Sequence, residues 1–256
     1  QVYPGGMQFE LDFGYHIAAI DIFLKALGMA SANGYESEFP ASYVETVGKM
    51  TVVTWNLLFP DYSNPMFGDT KSHDKSSLQR QFRSWSKVFP DDKQLQWFAT
   101  EGRKGALPDY TSQQFPASGF YVLRTGWDKD AAVTVVKAGP LAFWHNQPDN
   151  GTFDYWRRGR NFFPDSGSYV YGGDSAVLAQ RNWFRQTRVH NTVTLDDRDL
   201  EKTDSKLLLW KTTPELTTLV TENPSYEGLT HRRAMFFTAE GLLVIADPVS
   251  GTAAGK

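Results

Sequence analysis

The hydrophobic periodicity of the chain changes once, and this change constrains the fold more than any other feature. Over roughly the first hundred residues, apolar side chains recur at three- and four-residue steps, which is typical of amphipathic helices. The first helix is predicted from its apolar stripe, with Gly28 or Gly34 as its end. That stripe consists of Phe13, Ile17, Ile20, Leu24 and Leu27.

Three further helices are predicted from the same periodicity and from capping residues. The second runs from Tyr43 to Leu57, before Pro60. The third begins near Ser76, a candidate N-cap, and extends to Phe89. The fourth lies in "DDKQLQWFATEG", with acidic residues at its start and a glycine after its end.

From "ASGFYVLRTGW" onward, short β-prone runs alternate with turn residues. "HNTVTLDD" is predicted to be a strand that starts at His190, and "FFTAEGLLV" a hairpin around Glu240 and Gly241. Helices followed by strands predict segregated α and β domains and argue against a parallel βαβ sheet. The boundary is expected in "EGRKGALPDYTSQQFPAS", which separates a helical domain, 1–105, from a β domain, 106–256.

Composition excludes several classes of function. The net charge of −3 supplies no global field that would attract nucleic acid. Without cysteine, neither disulfides nor thiolate metal ligands are possible. Asp21 and Lys25 interrupt the most apolar helical stretch, so no membrane span is expected. An aromatic content of 14% suits a sugar-binding cleft and, equally, an aromatic-rich β core.

The densest polar stretch is "WHNQPDNGTFDYW", residues 144–156. If this segment is extended, His145 and Gln147 share one face, because side chains alternate across a strand. Asp165 follows at a strand end or bend, and His190 lies farther along the chain. An amide oxygen, a carboxylate and an imidazole can together bind a divalent cation. On spacing alone, however, Asp165 as a turn cap and His190 as a strand contact are the more common arrangement.

A second candidate site, near the N-terminus, contains Glu10, Tyr15 and His16. On a helical wheel Tyr15 lies nearly opposite Ile17, so it points away from the apolar stripe. A tyrosine, with a pKa of about 10 in water, becomes a useful base when positive charge or hydrogen bonding lowers that pKa. By itself, a Tyr-His pair in a helix more often packs or caps than catalyses.

Basic residues gather locally beside aromatic residues despite the acidic balance of the chain. The three clusters are Arg157, Arg158 and Arg160; Arg181, Arg185 and Arg188; and His231, Arg232 and Arg233. Guanidinium groups pair with sulfate and carboxylate groups, and aromatic rings stack on sugar faces, so these stretches favour an acidic polysaccharide. Solvated sheet faces also carry arginine routinely. The predicted substrate contacts are Glu10, Arg157, Arg185 and Trp144.

Three ordered motifs resemble the heparinase II/III family of polysaccharide lyases, closest to its heparinase III-like heparan-sulfate lyases. They are "GGMQFELDFGYHIAAIDIF", "HNQPDNGTFDYWRRGRNFFPDSGSY" and "WFRQTRVHNTVTLDD". The resemblance spans nearly the whole chain and implies an α+β multidomain fold. In that fold, the C-terminal helices of an incomplete (α/α) toroid precede an antiparallel β-sandwich. We therefore expect a fragment that holds the last toroid helices and the first part of a sandwich truncated at its C-terminus.

The resemblance also implies chemistry. Family lyases act by β-elimination: a base removes the C5 proton of a uronic acid, and the bond to O4 breaks to leave an unsaturated sugar. Stabilising the enolate-like charge that develops is expected to be the largest catalytic term. By motif, Tyr15 is the proton-transferring residue, as base and as acid to the leaving oxygen. His145 is the catalytic histidine, and His16 is expected to assist from beside Tyr15.

The resemblance further assigns Gln147, Asp165 and His190 to the family's metal site, against the preference from spacing. One structural divalent cation, zinc or calcium, is expected to hold the "HNQPD" loop and His145 in place. The family's charge-neutralising asparagine belongs to an earlier toroid helix and has no counterpart here. Alone, the chain is therefore expected to be weak or inactive unless the N-terminal segment is present in the full-length or a companion chain.

The expected partner is an acidic polysaccharide, with neither nucleic acid nor membrane, and the expected location is the bacterial periplasm or the extracellular space. Other functions stay open. The aromatic and arginine clusters also suit a non-catalytic carbohydrate-binding or structural module, and the substrate of a lyase could be another uronate polymer such as alginate. A hydrolase with Asp149 and Asp165 as paired carboxylates is a weaker alternative.

Overall fold

The N-terminal part of the molecule is helical. A computed structural model of the protein describes residues 1–141 and 144–255. Aspartates cap three of the helices named below by accepting backbone N–H groups: Asp12 in α1, Asp74 in α3 and Asp92 in α4. The helices are α1 (Phe13–Ala32), α2 (Ala41–Asn56), α3 (Lys75–Trp85) and α4 (Lys93–Thr100).

The third helix differs from its prediction at both ends. Asp74, rather than Ser76, is its N-cap, because the Asp74 carboxylate accepts from the backbone of Ser77 at 2.8 Å. The Ser76 hydroxyl donates to the same carboxylate at 2.6 Å and so supports the cap from inside the helix. The helix ends at Trp85, before Phe89, which only packs against the core.

The predicted stripe of α1 faces the core. Phe13, Ile17 and Ile20 are buried, as are Val47 and Met50 of α2. By length and composition alone, α1 is long and apolar enough to cross a membrane, contrary to the sequence expectation. Buried core helices and signal sequences meet the same criterion.

The C-terminal part consists of two antiparallel sheets and one helix. Sheet 1 has its strands in sequence order: β1 (Gln113–Phe115), β2 (Phe120–Arg124), β3 (Val133–Lys137), β4 (Thr152–Arg157) and β5 (Arg160–Asn161). Helix α5 (Ser175–Phe184) follows. In sheet 2, β7 pairs with β6 and β8, and both β9 and β10 pair with β8. Its strands are β6 (Lys206–Thr212), β7 (Leu216–Tyr226), β8 (Leu229–Thr238), β9 (Leu243–Ala246) and β10 (Val249–Gly251).

Sheet 1 is covered on both faces, which explains why every residue of β2 and β3 is buried. Tyr121 and Leu123 of β2 pack with Leu219 and Met235 of sheet 2. The alternate residues of β2, such as Val122, join the helical core instead. The molecule is therefore a helical layer packed on an antiparallel β-sandwich, and the predicted fold class is confirmed.

A buried arginine ties the helical layer to sheet 1. Arg124, at the end of β2, donates to the carbonyl oxygens of Asn56 at 3.2 Å and Leu58 at 2.5 Å. These carbonyls stand at the end of α2, where helical partners are lacking. Burial lowers the pKa of Arg124 to about 9.

Within the β domain, the strand predicted at His190 is wrong, one helix was not predicted, and the predicted hairpin is confirmed. "HNTVTLDD" is not a strand: it is a loop that begins after a short 3-10 turn, Thr187–Val189. Sequence periodicity also gave no sign of α5, which Asp174 caps by accepting from two backbone N–H groups. The hairpin around Glu240 and Gly241 is present, with β8 and β9 paired on either side of it.

Candidate active site

Tyr15 and His145 meet face to face where the helical layer abuts sheet 1. The cap at Asp12 fixes the first turn of α1, since its Oδ1 accepts from the backbone N–H of Tyr15 at 3.0 Å. The imidazole of His145 stacks on the phenol ring of Tyr15, with 3.7 Å between ring centroids and 16° between the planes. The two residues that the sequence motifs single out as catalytic therefore share one site.

Two carboxylates lie at the edges of the His145 ring. Oδ2 of Asp69 lies 3.3 Å from Nδ1, and Oε1 of Glu10 lies 3.9 Å from Nε2. Asp69 also accepts from Nη2 of Arg181 at 2.7 Å through its other oxygen. Because the Asp69 side chain is only 3% exposed, these contacts are largely shielded from water.

The loop that carries Asp69 is fastened to the loop that carries His145. The backbone N–H of Asp69 donates to the carbonyl of His145 at 3.0 Å, and Nε2 of Gln147 donates to the carbonyl of Gly68 at 2.9 Å. Gly68 has φ of +79°, and a Cβ there would lie 2.6 Å from the His145 carbonyl oxygen. Only glycine therefore allows this close approach.

Tyr171 completes the cluster. Its hydroxyl group hydrogen-bonds with that of Tyr15, and its ring lies 5.9 Å from the His145 ring. The guanidinium of Arg181 lies 5.3 Å from the centre of the Tyr171 ring, within reach of a cation–π contact. Tyr171 is 60% exposed, so the pair of hydroxyls is open to a ligand.

The pKa of Tyr15 shifts in the opposite direction to that expected of a ready base. Burial raises it to about 12, and the hydrogen bond to Tyr171 and the negative charges of Asp12 and Asp69 act in the same sense. At neutral pH the Tyr15 phenol therefore keeps its proton in the absence of substrate.

The structure does not bring His16 to this cluster. Its side chain is fully buried, and both ring nitrogens have backbone partners: Nδ1 accepts from Gln8 at 3.2 Å, and Nε2 pairs with the carbonyl of Met50 at 2.9 Å. Burial lowers the pKa of His16 to about 4, so the imidazole is neutral at physiological pH. This geometry is that of a core histidine that links α1 to α2.

Three of the four predicted substrate contacts lie near Tyr15 and His145. Glu10 borders His145, and Trp144 is 73% exposed beside it. Nη2 of Arg185 donates to the carbonyl of Asn146 at 3.2 Å. Trp144 and Arg185 also line a cleft of about 560 Å³ between the "HNQPD" loop and the end of α5. That volume lies within the usual range of ligand pockets.

Arg157 is placed elsewhere, and the structure does not bring it to the stacked pair of Tyr15 and His145. It ends β4, whereas Thr152, at the other end of that strand, adjoins the "HNQPD" loop. Five residues of strand separate the two ends by roughly 17 Å. Nη2 of Arg157 instead donates to the carbonyl of Glu240 in the β8–β9 turn, at 2.8 Å.

The residues predicted to bind a metal have atoms free to do so. Gln147, Asp165 and His190 are all buried, and Oε1 of Gln147 and Nε2 of His190 have no hydrogen-bond partner within the part of the chain that the structure describes. Buried polar atoms without partners call for an explanation, such as an ion. Oδ2 of Asp165 lies 2.8 Å from Nδ1 of His190. An amide oxygen, a carboxylate and an imidazole fit a divalent cation.

Within residues 1–141 and 144–255, no group of three or more His, Cys, Asp and Glu side chains is placed to hold a metal ion. The predicted metal-binding set contains only two such residues, Asp165 and His190, besides Gln147. Burial lowers the pKa of His190, but the hydrogen bond and charge of Asp165 outweigh burial and leave the pKa raised.

The paired carboxylates of a hydrolase are not supported. Asp149 forms a buried ion pair with Lys137 at 2.7 Å, and the carboxylate of Asp165 contacts Nδ1 of His190 at 2.8 Å. Neither carboxylate is therefore free to act as an acid or as a nucleophile.

Sequence reasoning missed Asp69 and Tyr171, and it treated Arg181 as a possible sulfate contact. The only local signal for Asp69 was the Gly-Asp pair in "PMFGDT", which indicates a turn but no function. Arg181 is 8% exposed, and two of its guanidinium nitrogens bind protein oxygens. It therefore braces the site, with little surface left for a ligand.

Comparison with known proteins places this geometry in a family. The profile of the heparinase II/III N-terminus matches residues 1–97, and that of the heparinase II/III-like C-terminal region matches residues 108–256. The chain belongs to the heparinase II/III family. It is 52% identical over its whole length to a heparin-sulfate lyase of Bacteroides stercoris and 47% identical to one of Pedobacter heparinus.

Solved structures of heparinase III and of a heparan sulfate lyase have the same fold as this chain. The whole chain superimposes on a heparinase III structure with a TM-score of 0.96 at 55% identity, and covers 40% of it. It superimposes on a heparan sulfate lyase of Pedobacter heparinus with a TM-score of 0.95 at 47% identity, again over 40% of that chain. The chain spans 38% of the length of the B. stercoris relative and 39% of the P. heparinus relative.

Proposed function

We propose that the protein is a polysaccharide lyase that cleaves heparan sulfate or heparin-like glycosaminoglycan by β-elimination. The observation that carries the proposal is the stacked pair of Tyr15 and His145, two proton-transfer groups 3.7 Å apart at an open site. The relatives named heparin-sulfate lyase support the choice of substrate.

The raised pKa of Tyr15 divides the two proton transfers between the two residues. A phenol that keeps its proton is suited to donate it to O4 of the leaving sugar. His145 then takes the C5 proton, the C4–O4 bond breaks, and a double bond forms between C4 and C5. Return of the proton from the imidazolium to the Tyr15 phenolate restores the site. Of the two roles that the family resemblance implies for Tyr15, base and acid, we therefore propose the acid role.

The substrate contacts follow from charge and from exposed rings. Arg185 supplies a cation beside the "HNQPD" loop, where a sulfate or carboxylate group of the sugar can pair with it. Trp144 presents an exposed ring on which a sugar face can stack. Glu10, at 3.9 Å from Nε2 of His145, borders the side from which the reacting sugar approaches.

Gln147, Asp165 and His190 would hold one divalent cation, zinc or calcium. The support is the pair of buried, unpartnered atoms on Gln147 and His190 together with the adjacent carboxylate. When bound, the cation supplies a structural cross-link between the "HNQPD" loop and the loops of Asp165 and His190. Gln147 lies two positions after His145, so a fixed Gln147 side chain also holds the loop that carries His145.

The proposal also includes an alternative function, an alternative substrate and a cellular location. The cleft beside Trp144 also suits a non-catalytic carbohydrate-binding module, and the elimination chemistry would serve another uronate polymer such as alginate. Periplasmic or secreted placement is proposed from the family resemblance alone, with an acidic polysaccharide as the partner. The ion pair of Asp149 with Lys137 argues against the hydrolase.

The test is product formation by the full-length protein and by a Tyr15→Phe variant. Unsaturated product absorbs in the ultraviolet, whereas hydrolysis gives saturated ends. We expect Tyr15→Phe to lower kcat by about 10²–10⁴-fold, the usual value of general acid catalysis. Tyr35→Phe is the matched control, because Tyr35 is 58% exposed and belongs to no part of the site.

Unchanged activity in Tyr15→Phe would remove Tyr15 from the mechanism. Saturable glycan binding by an intact protein that forms no unsaturated product would favour the binding module. Faster turnover of alginate than of heparan sulfate would move the substrate to another uronate polymer.

A further inference from the structure

Asp69, whose carboxylate is buried, contacts three different groups of neighbouring residues. Its Oδ2 lies 3.3 Å from Nδ1 of His145, its Oδ1 accepts from Arg181, and its backbone N–H donates to the His145 carbonyl. It thus binds the imidazole, the backbone behind the imidazole and a guanidinium at the same time. Neither the sequence motifs nor the proposed chemistry uses it.

We propose that Asp69 is the positioning residue of His145 and holds its imidazole with the proton on Nδ1 and the lone pair on Nε2. This role rests on the proposed lyase function. A carboxylate that pairs with a guanidinium only accepts hydrogen bonds, so Nδ1 must be the donor. A neutral imidazole has one N–H, and Nε2 is consequently left as the acceptor that can receive a proton.

The surroundings of Nε2 leave it available. Oε1 of Glu10 lies 3.9 Å from Nε2, which is beyond hydrogen-bonding distance. Oε2 of Glu10 accepts from the side chain of Gln8 at 3.0 Å, and this bond draws the carboxylate toward the N-terminal loop. The lone pair of His145 therefore faces the open side of the cluster.

Ring rotation is blocked from two further directions. Tyr15 covers one face of the imidazole at 3.7 Å, and a flip would carry Nδ1 away from Asp69. The bond from the Asp69 backbone to the His145 carbonyl fixes the main chain at the same point. Together these contacts define one orientation of the ring and one tautomer.

Arg181 fixes Asp69 in turn. Nη1 donates to the carbonyl of Val170 at 2.6 Å, and Nη2 donates to Asp69 at 2.7 Å, with the arginine 8% exposed. The guanidinium therefore joins the loop of Tyr171 to the loop of Asp69. Removal of either partner would leave a buried charge uncompensated.

The experiment combines kinetics with the tautomer of His145 in the full-length protein. Nitrogen-15 NMR of histidine-labelled protein distinguishes an imidazole protonated on Nδ1 from one protonated on Nε2, and a His145→Gln variant assigns the signal. In the unaltered protein we expect the Nδ1–H form. In Asp69→Asn, the amide can donate to Nδ1, so we expect the Nε2–H form to appear.

Kinetics should follow the tautomer. We expect Asp69→Asn to lower kcat by about 10²–10⁴-fold, since a base in the wrong tautomer cannot accept the proton. KM should change by less than about threefold, because Asp69 does not face the substrate. Asp69→Glu, which keeps a carboxylate, should restore the Nδ1–H signal and part of kcat.

Asp21→Asn is the matched control. Asp21 is also a carboxylate on the helical layer, where its Oδ1 accepts from Nε1 of Trp85 at 2.8 Å. It should leave kcat and the His145 signal unchanged.

An Nδ1–H signal that persists in Asp69→Asn would overturn the role, as would a rise in KM with kcat intact. If Asp69→Asn does not fold, Asp69→Glu decides: an Nε2–H tautomer there would also overturn it. Absence of unsaturated product from the unaltered protein would refute the lyase function, whereas the NMR signal tests Asp69 regardless of activity.

Discussion

Residues with left-handed backbone conformation lie shortly before both catalytic candidates, Tyr15 and His145. Leu11 has φ of +57°, and it precedes Asp12, the cap that sets the first turn of α1 and hence Tyr15. Trp144 has φ of +66° and directly precedes His145. A left-handed conformation costs a non-glycine residue about 1–2 kcal/mol. Such local strain is common where a site must hold groups in fixed positions.

His16 should make stability depend on pH. Its pKa is lowered to about 4 in the folded state, against 6.5 when unfolded, so the unfolded chain binds the extra proton between these values. The His16 contribution is complete above pH 6.5 and is lost as pH falls to about 4. The difference corresponds to about 3 kcal/mol of unfolding free energy.

Denaturant unfolding at a series of pH values checks this expectation. Glutamine at position 16 cannot titrate. Between pH 6.5 and 4, the unfolding free energy of His16→Gln should therefore fall by about 3 kcal/mol less than that of the unaltered protein. Tyr15→Phe is a control, since it leaves His16 in place and should keep the full slope. Parallel curves for the His16 variant and the unaltered protein would show that His16 is not the titrating group.

The sequence predicts these residues unequally. Tyr15 and His145 are reached through motif resemblance, and the pattern of α1 places Tyr15 off the apolar stripe, where the structure has it. Asp69 and Tyr171 are not reached, because their roles arise from contacts between distant loops. No local pattern records that an aspartate in one loop will meet the ring of a histidine in another.

At the level of elements, one arginine joins sheet 2 to the loops of the site. Arg233 of β8 donates to the carbonyl oxygens of Gly151 and Asn191, each at 2.6 Å, and forms a bidentate pair with Asp247 at 2.7 and 2.9 Å. His231 adds a contact to the same carboxylate at 2.9 Å. The predicted basic cluster at the start of β8 is thus partly internal.

Asp247→Asn should therefore destabilise the protein. Burial opposes ionisation of Asp247, but the hydrogen bonds from His231 and Arg233 outweigh it and hold its pKa well below the usual range. Because this carboxylate is 31% exposed, we expect a loss at the lower end of that for buried pairs, about 3 kcal/mol of unfolding free energy at neutral pH.

Chemical denaturation measures the effect. The contribution of Asp247 is present above its unfolded pKa of about 4 and is lost as pH falls further, so the difference between variant and unaltered protein should shrink in acid. Glu222→Gln, which breaks the exposed pair with Arg232, should cost under about 1 kcal/mol. Equal losses in the two variants would contradict a special role for the Arg233 network.

Elements with strong periodicity are predictable here, and those defined by tertiary contacts are not. The stripe of α1 and the alternation around the β8–β9 hairpin are both found in the structure. The loop after His190 has β-prone residues, yet Arg233 binds the carbonyl of Asn191, so this backbone oxygen is not used in a strand ladder. α5 has a short, mixed sequence, and its cap at Asp174 is its clearest signal.

At the scale of the molecule, the site is built across the junction of the helical layer and the sandwich. Tyr15 comes from α1 and His145 from the connection between β3 and β4. Segregated helices and strands predict the two layers, but not which ends meet, because that depends on packing of both faces of sheet 1. The geometry of the site therefore depends on how firmly the "HNQPD" loop is held to both layers.

Removal of a divalent cation tests how much of that hold comes from Gln147, Asp165 and His190. If the site is filled at a thousandfold excess over Kd, the bound cation stabilises the folded state by about 4 kcal/mol. Chelation should then lower Tm by roughly 10 °C for a protein of this size class. Elemental analysis should find about one zinc or calcium per chain before chelation and none afterwards.

His190→Ala provides the comparison, because it removes a buried, unpartnered nitrogen from the set. Its Tm should be lower at the start and insensitive to chelator.

Adding metal back to the chelated, unaltered protein identifies the cation. If zinc but not calcium restores its Tm, or the reverse, thermal unfolding alone names the metal without an activity assay. A chain that carries no metal after purification, and whose Tm is unaffected both by chelator and by added zinc or calcium, would contradict the site. In that case the unpartnered atoms of Gln147 and His190 would need bound water as their partner, since a buried polar group is stable only when it is satisfied.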